Sequence, residues 1–252
     1  MIIPFRYWEI DFLRGIAILL MIVLHFFVDL SLLRILEFPF GWTIWSFWQK
    51  TTAATFLLLV GICLVISHHR EIQQNTGKEQ RLFPKYLQRG LAIFGYGLLI
   101  TIVTRIYLKE GYVVFGVLHL IGATIILSYP LLTLGYLNLF LGAGAIIIGF
   151  YLNSFHFTFP WLLWAGFRKN GYYSVDYFPI FPWLGFVLIG LFLGNRLYSP
   201  KGRMFPLNDC SRLIWVRGFC FLGKHSLMVY LFHQPLLVMT LVFIKHFIKK
   251  GF

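Results

Sequence analysis

The chain has 252 residues, 59% of them hydrophobic and only 12% charged, with a mean hydropathy of +0.76. A soluble domain carries roughly twice that share of charge, so no part of the chain reads as one. The formal net charge of +13 does not signal nucleic acid, because the basic residues stand in short segments between apolar runs, where they act as orientation signals.

A membrane-spanning helix needs roughly 20 mostly apolar residues. Seven runs approach this, at about 10–32, 51–67, 89–108, 113–134, 136–152, 178–197 and 222–244. The aromatic stretch 38–50 either lies at the interface or extends the second helix. The predicted fold is all-α: a polytopic membrane protein of about seven helices, read as one domain over residues 1–252, with no soluble domain. The first run contains Asp11 and Arg14 and lacks the small-residue cut site of a signal peptide, so a retained helix is expected. The three cysteines show neither metal spacing nor a disulfide framework, and no metal is expected.

Two segments are rich in Lys and Arg. One holds Arg70, Lys78, Arg81, Lys85 and Arg89; the other holds Arg196, Lys201, Arg203, Arg212 and Arg217. Four expected spans separate them, and two more separate the first from Arg6. All three therefore fall on one side, which the positive-inside rule makes cytoplasmic. The cell membrane, with a cytoplasmic N-terminus, is the expected location. Lys245, Lys249 and Lys250 then end outside, against the rule. Either a further membrane element lies within 209–224, or the rule fails at this tail.

Ionisable side chains inside spans are costly and face the protein interior, where they mark functional sites. The first run places Asp11, Arg14, His25 and Asp29 on one helix. Arg14 and His25 share a face and lie about 16 Å apart along the axis. Asp29 follows His25 by one turn, so its carboxylate can reach the imidazole and orient it as a general base. The competing reading makes Asp11 and Arg14 a structural salt bridge at the membrane edge and His25 a helix contact.

His119 enters its helix from the outer side to a depth similar to that of His25, and Asp176 stands at the outer mouth of the sixth run. All three could line one outer cavity, although a lone His119 also suits packing. His233 precedes Gln234-Pro235, where its ring can satisfy backbone groups that the proline frees. Arg14, Arg89, Arg196 and Arg217 gather at inner ends and suit phosphate groups, while orientation bias also accounts for the loop arginines.

These residues fall in segments that resemble a known family. They are Trp8-Glu-Ile-Asp11-Phe-Leu-Arg14-Gly15 on to His25, then Leu59-Val-Gly61-Ile, then Phe115-Gly-Val-Leu-His119-Leu-Ile-Gly122. Asp176-Tyr-Phe-Pro179-Ile-Phe-Pro182-Trp-Leu-Gly185 follows, and Leu222-Gly-Lys-His-Ser226 through His233-Gln-Pro235 completes the set. In this order they resemble the catalytic domain of heparan-alpha-glucosaminide N-acetyltransferase and its prokaryotic relatives, among the transmembrane acyltransferases.

The resemblance implies transfer of an acyl group from cytoplasmic acyl-CoA, acetyl-CoA or a longer one, to a sugar hydroxyl or amine on the outer side. With such a donor, the one-face line from Arg14 to His25 suits a pantetheine arm. The expected mechanism has the CoA phosphates on the inner arginines, chiefly Arg14 and Arg89, and His25, oriented by Asp29, removing the acceptor's proton, by direct transfer or through an acyl-His intermediate. His119, Asp176 or His233 would position the acceptor or the developing oxyanion, and Asp11 would be structural. The lysosomal enzyme has Asn at the place of His25 and a His further on. No His occurs in 26–67 here, so His25 must serve if any residue of the first helix does.

At this length no accessory luminal domain is expected. The implied partners are the bilayer, acyl-CoA and a glycan or lipid-linked sugar, with a homodimer left open. The aromatic and basic segment 153–177, with His156, Trp161, Trp164, Arg168, Lys169, Tyr172 and Tyr173, suits a sugar or equally an interface belt. A proton-coupled transporter would use intramembrane His and Asp as well, and a non-catalytic scaffold would tolerate their loss.

Overall fold

In the computed structural model, residues 6–36, 42–74, 82–108 and 110–250 are described. Their α-helices run in chain order as α1 (Trp8–Leu32), α2 (Trp42–Gln74), α3 (Phe83–Leu108), α4 (Val117–Leu127), α5 (Leu137–Asn153), α6 (Ile180–Leu197), α7 (Ile214–Lys224) and α8 (Ser226–Lys250). The only strands among the described residues form a two-residue hairpin, Tyr198–Ser199 against Gly202–Arg203. Among the described residues five helices are long and apolar enough to cross a membrane: α1, α2, α3, α6 and α8.

Each of the seven expected runs carries a helix, and α2 extends upstream to take in the aromatic residues from Trp42. Residues 38–41 of that stretch, together with Lys78 and Arg81, lie outside the described residues. The fourth run is trimmed most, to the 11 residues of α4. It stops at Ser128 because Pro130 cannot continue an α-helix, and Tyr129–Leu131 turns as a short 3-10 helix instead. The seventh run is broken at His225, which leaves helical geometry and separates α7 from α8.

The described residues fall into two compact units. A central unit is Leu57–Pro206, and a terminal unit joins the stretch up to Phe56 to Leu207–Phe252.

In the central unit α5 lies along α6 and α3 along α4. Its core is aliphatic, with Leu57, Leu64, Val65, Leu120, Ile125, Val187 and Leu191 almost fully buried. In the terminal unit α1 packs on α7 and α8. The approach of α7 is so close that a Cβ on Gly15 would overlap the Phe219 carbonyl, and one on Gly223 would overlap that of Asp11. Glycine at both places lets the two backbones meet, as small residues do between membrane helices.

The pairs Asp11 with Gly223 and Gly15 with Phe219 run in opposite senses, so α7 is antiparallel to the start of α1. The pairs His25 with His233, Asp29 with Gln234 and Leu33 with Lys245 run in the same sense. So α8 is parallel to α1, and two parallel spanning helices begin on one side and end on the other. The helix found within 209–224 is α7, whose 11 residues cover about 16 Å and cannot cross a core of about 30 Å. The tail and the start of α1 therefore lie at opposite ends of the α1–α8 pair. One of its lysines contributes to the packing of the terminal unit. Lys245 Nζ donates to the Leu33 carbonyl at 2.6 Å, at the C-terminal end of α1.

Candidate functional site

The terminal unit brings His25 and Asp29 of α1 against His233 and Gln234 of α8. The imidazoles of His25 and His233 meet edge to face, with centroids 4.9 Å apart. His25 Nδ1 lies 2.9 Å from the Met21 carbonyl. A carbonyl only accepts, so Nδ1 carries the hydrogen and Nε2 keeps its lone pair when the ring is neutral. His233 is fixed in the same tautomer by the Tyr230 carbonyl, 2.7 Å from its Nδ1.

Here the structure departs from the sequence expectation in two details. The hydrogen-bond partner of His25 is the Met21 carbonyl one turn back, not the Asp29 carboxylate one turn on. His233 bonds to Tyr230 and not to Leu231, whose carbonyl is the one that Pro235 leaves without an amide. The Asp29 carboxylate is buried, and its Oδ1 accepts from Gln234 Nε2 at 2.8 Å. Asp29 thus contributes a nearby negative charge to His25 and a tie between α1 and α8. Asp29 Oδ2, Gln234 Oε1 and His233 Nε2 are buried and have no hydrogen-bond partner among the described residues. Every one of these atoms is an acceptor. The cluster suits a hydroxyl or amine hydrogen, and a neutral His233 has no free N–H for an oxyanion.

At the other end of α1 a cleft of about 720 Å³ opens between its first turns and α7. Arg6, Arg217 and Lys224 line it, with Trp8, Asp11 and Cys220. Asp11 is buried, and its carboxylate pairs with Arg6 at 3.8 Å rather than closing a bridge to Arg14. Arg14 is half-buried one turn further on. The Cys220 thiol donates to the Trp8 carbonyl at 3.3 Å, and burial pushes its pKa up.

In the central unit His119 and Asp176 come together at the N-terminal end of α4. The Gly116 amide donates to His119 Nδ1 at 3.2 Å, which leaves the hydrogen on Nε2, 3.4 Å from Thr101 Oγ1. Phe94 and Phe115 flank the buried ring. Both nitrogens are thus engaged in capping and packing. Asp176 Oδ2 accepts from the Val117 amide at 3.2 Å, where a carboxylate also faces the positive end of the helix dipole. These two residues build the start of α4.

Arg89 is exposed on α3. One turn before it, Lys85 pairs with the buried Glu71 at 2.9 Å. In the segment 153–177, Arg168 is spent on the Tyr172 carbonyl at 3.0 Å and Tyr177 OH on that of Leu163 at 2.8 Å. Burial raises the pKa of both phenols, Tyr172 and Tyr177. Trp161 and Trp164 line an apolar groove of about 700 Å³ with Phe94, Phe115 and Ile180.

The sequence reading missed Gln234 as a partner of Asp29 and Arg6 and Lys224 as neighbours of Arg217. Gln234 stands beside His233 in one of the family-like segments, and that was the available signal. Among the described residues no group of three His, Cys, Asp or Glu could hold a metal ion.

Residues 6–235 match the family described as "Heparan-alpha-glucosaminide N-acetyltransferase, catalytic". No curated protein and no solved structure matches the chain.

Proposed function

From its membership of the heparan-alpha-glucosaminide N-acetyltransferase catalytic family, to which the chain belongs, we propose that it is a membrane-embedded enzyme that moves an acetyl group from acetyl-CoA to a sugar hydroxyl or amine. The N-terminus and the donor lie on the cytoplasmic side of the cell membrane, and the acceptor glycan or lipid-linked sugar lies outside. The observation that carries the reading is the paired His25 and His233 beside the buried Asp29. Intramembrane groups of this kind are costly to keep without a function.

His25 is the general base. Its tautomer leaves Nε2 free to take the proton from the acceptor as the acceptor's oxygen or nitrogen attacks the thioester carbonyl. The carbon–sulfur bond breaks, and the proton passes from His25 to the departing CoA sulfur. The Asp29 carboxylate favours the imidazolium that forms in between. Where the acceptor is an amine, His233, with an acceptor atom at Nε2, holds its second hydrogen. Arg14 lies on the path from the cytoplasmic end, where it draws the donor's phosphates.

The test is transfer of radiolabelled acetyl from acetyl-CoA to a panel of amino sugars, neutral sugars and lipid-linked sugars, with the protein in lipid nanodiscs. His25→Ala should cut the rate by about 10²–10⁴-fold, the span of general-base catalysis. Full activity in that variant removes His25 from the mechanism. No transfer by the wild-type protein to any acceptor class sinks the enzyme reading.

A further inference from the structure

The cleft between α1 and α7 is a second feature that positive-inside bias alone does not account for. That bias requires cations near the membrane edge but not their convergence. Arg217 and Lys224 are seven residues apart on α7, about two turns, and so share a face. Both line the cleft, and Arg6 reaches it from the start of α1. Among the described residues Asp11 is the only carboxylate in the lining, so their balance is three cations to one anion. Its volume of about 720 Å³ falls in the range of small-molecule sites, roughly 300–1,000 Å³.

The wall is also well anchored. The glycine contacts of Gly15 and Gly223 hold α7 against α1 backbone to backbone, which limits how far Arg217 and Lys224 can drift from Trp8. Guanidinium and ammonium groups are the usual partners of phosphate, and the ring of Trp8 offers an aromatic face to a base.

We infer that this cleft binds a phosphorylated nucleotide, with Arg217, Lys224 and Arg6 on its phosphates and Trp8 against the base. The inference rests on the acyl-CoA reading and extends it: the nucleotide end of the donor sits between α1 and α7, which leaves its pantetheine arm to follow α1. An anionic lipid headgroup shares the phosphate chemistry, so the experiment separates the two.

The probe is adenosine 3′,5′-bisphosphate, the nucleotide end of CoA without the arm or the acyl group. Its binding to the full chain is measured by calorimetry in phosphatidylcholine nanodiscs, alongside acetyl-CoA, for the wild type, Arg217→Gln, Lys224→Gln and Lys201→Gln. Melting curves check that each variant is folded, and Arg6→Gln stands in for any that is not. Each cleft variant should weaken the bisphosphate about tenfold or more, the worth of one charged hydrogen bond, while Lys201→Gln, at an exposed lysine outside the cleft lining, leaves it unchanged.

Unchanged binding in the cleft variants overturns the assignment. It also fails if adding phosphatidylglycerol displaces the bisphosphate and the variants lose only retained anionic lipid, which would make the cleft a headgroup site. Wild type that binds acetyl-CoA but not the bisphosphate sinks the cleft and spares the acyl-CoA reading. Binding of neither sinks both.

Discussion

Replacing Gln234 with Leu tests the tie between α1 and α8 directly. The Gln234 amide donates to Asp29 Oδ1 at 2.8 Å, and Asp29 is only 3% exposed. Its second oxygen has no hydrogen-bond partner among the described residues, so no other bond compensates. A hydrogen bond to a charged group contributes about 1.5–3 kcal/mol. For a chain of this size each kcal/mol moves the melting temperature by about 2–4 °C. Gln234→Leu should therefore melt about 3–12 °C lower in detergent. A double-mutant cycle with Asp29→Leu isolates the bond, because replacing both partners by apolar groups removes the orphaned carboxylate along with its donor. The expected coupling is at least about 1.5 kcal/mol. A melting point within about 1 °C of wild type, below the smallest shift expected, or a cycle that sums to zero, would refute the tie.

Gly116→Ala sets a methyl group against Asp176 Oδ2 and should displace the carboxylate from the Val117 amide. The loss of about 0.5–2 kcal/mol expected for a helix cap would show as a lower melting temperature, and an unchanged one would contradict the capping role. Cys220 is buried and its thiol pKa is raised, chiefly by that burial. A raised pKa leaves less thiolate at any pH below it, and the thiolate is the reacting form. Maleimide should label Cys220 more slowly than the half-buried Cys210 at pH 7.5, and faster as the pH rises; equal rates at pH 7.5, read by peptide mass spectrometry, would count against it.

The class of this protein follows from one-dimensional physics. Backbone groups in a bilayer must bond within their own segment, so the length of an apolar run decides that it is helical before any partner is known. Seven such runs were legible, as was the one helix that carries Asp11, Arg14, His25 and Asp29, because 3.6 residues per turn sets which residues share a face. The order of the family's motifs along residues 6–235 was legible too.

Helical spacing does not say which neighbour a side chain chooses. His25 has a carbonyl one turn back and a carboxylate one turn on, and the ring bonds to the Met21 carbonyl. Asp29 was taken instead by Gln234, 205 residues away, because α8 runs parallel to α1, and no local pattern encodes that pairing. The break at His225 and the turn of α7 back onto Gly15 likewise depend on backbone contact between helices. They bring Arg217 and Lys224 beside Arg6, at the far end of the sequence. Local periodicity determines which residues share a helix face. Which faces meet is decided only when helices distant in the chain bury their polar groups and glycine surfaces against one another.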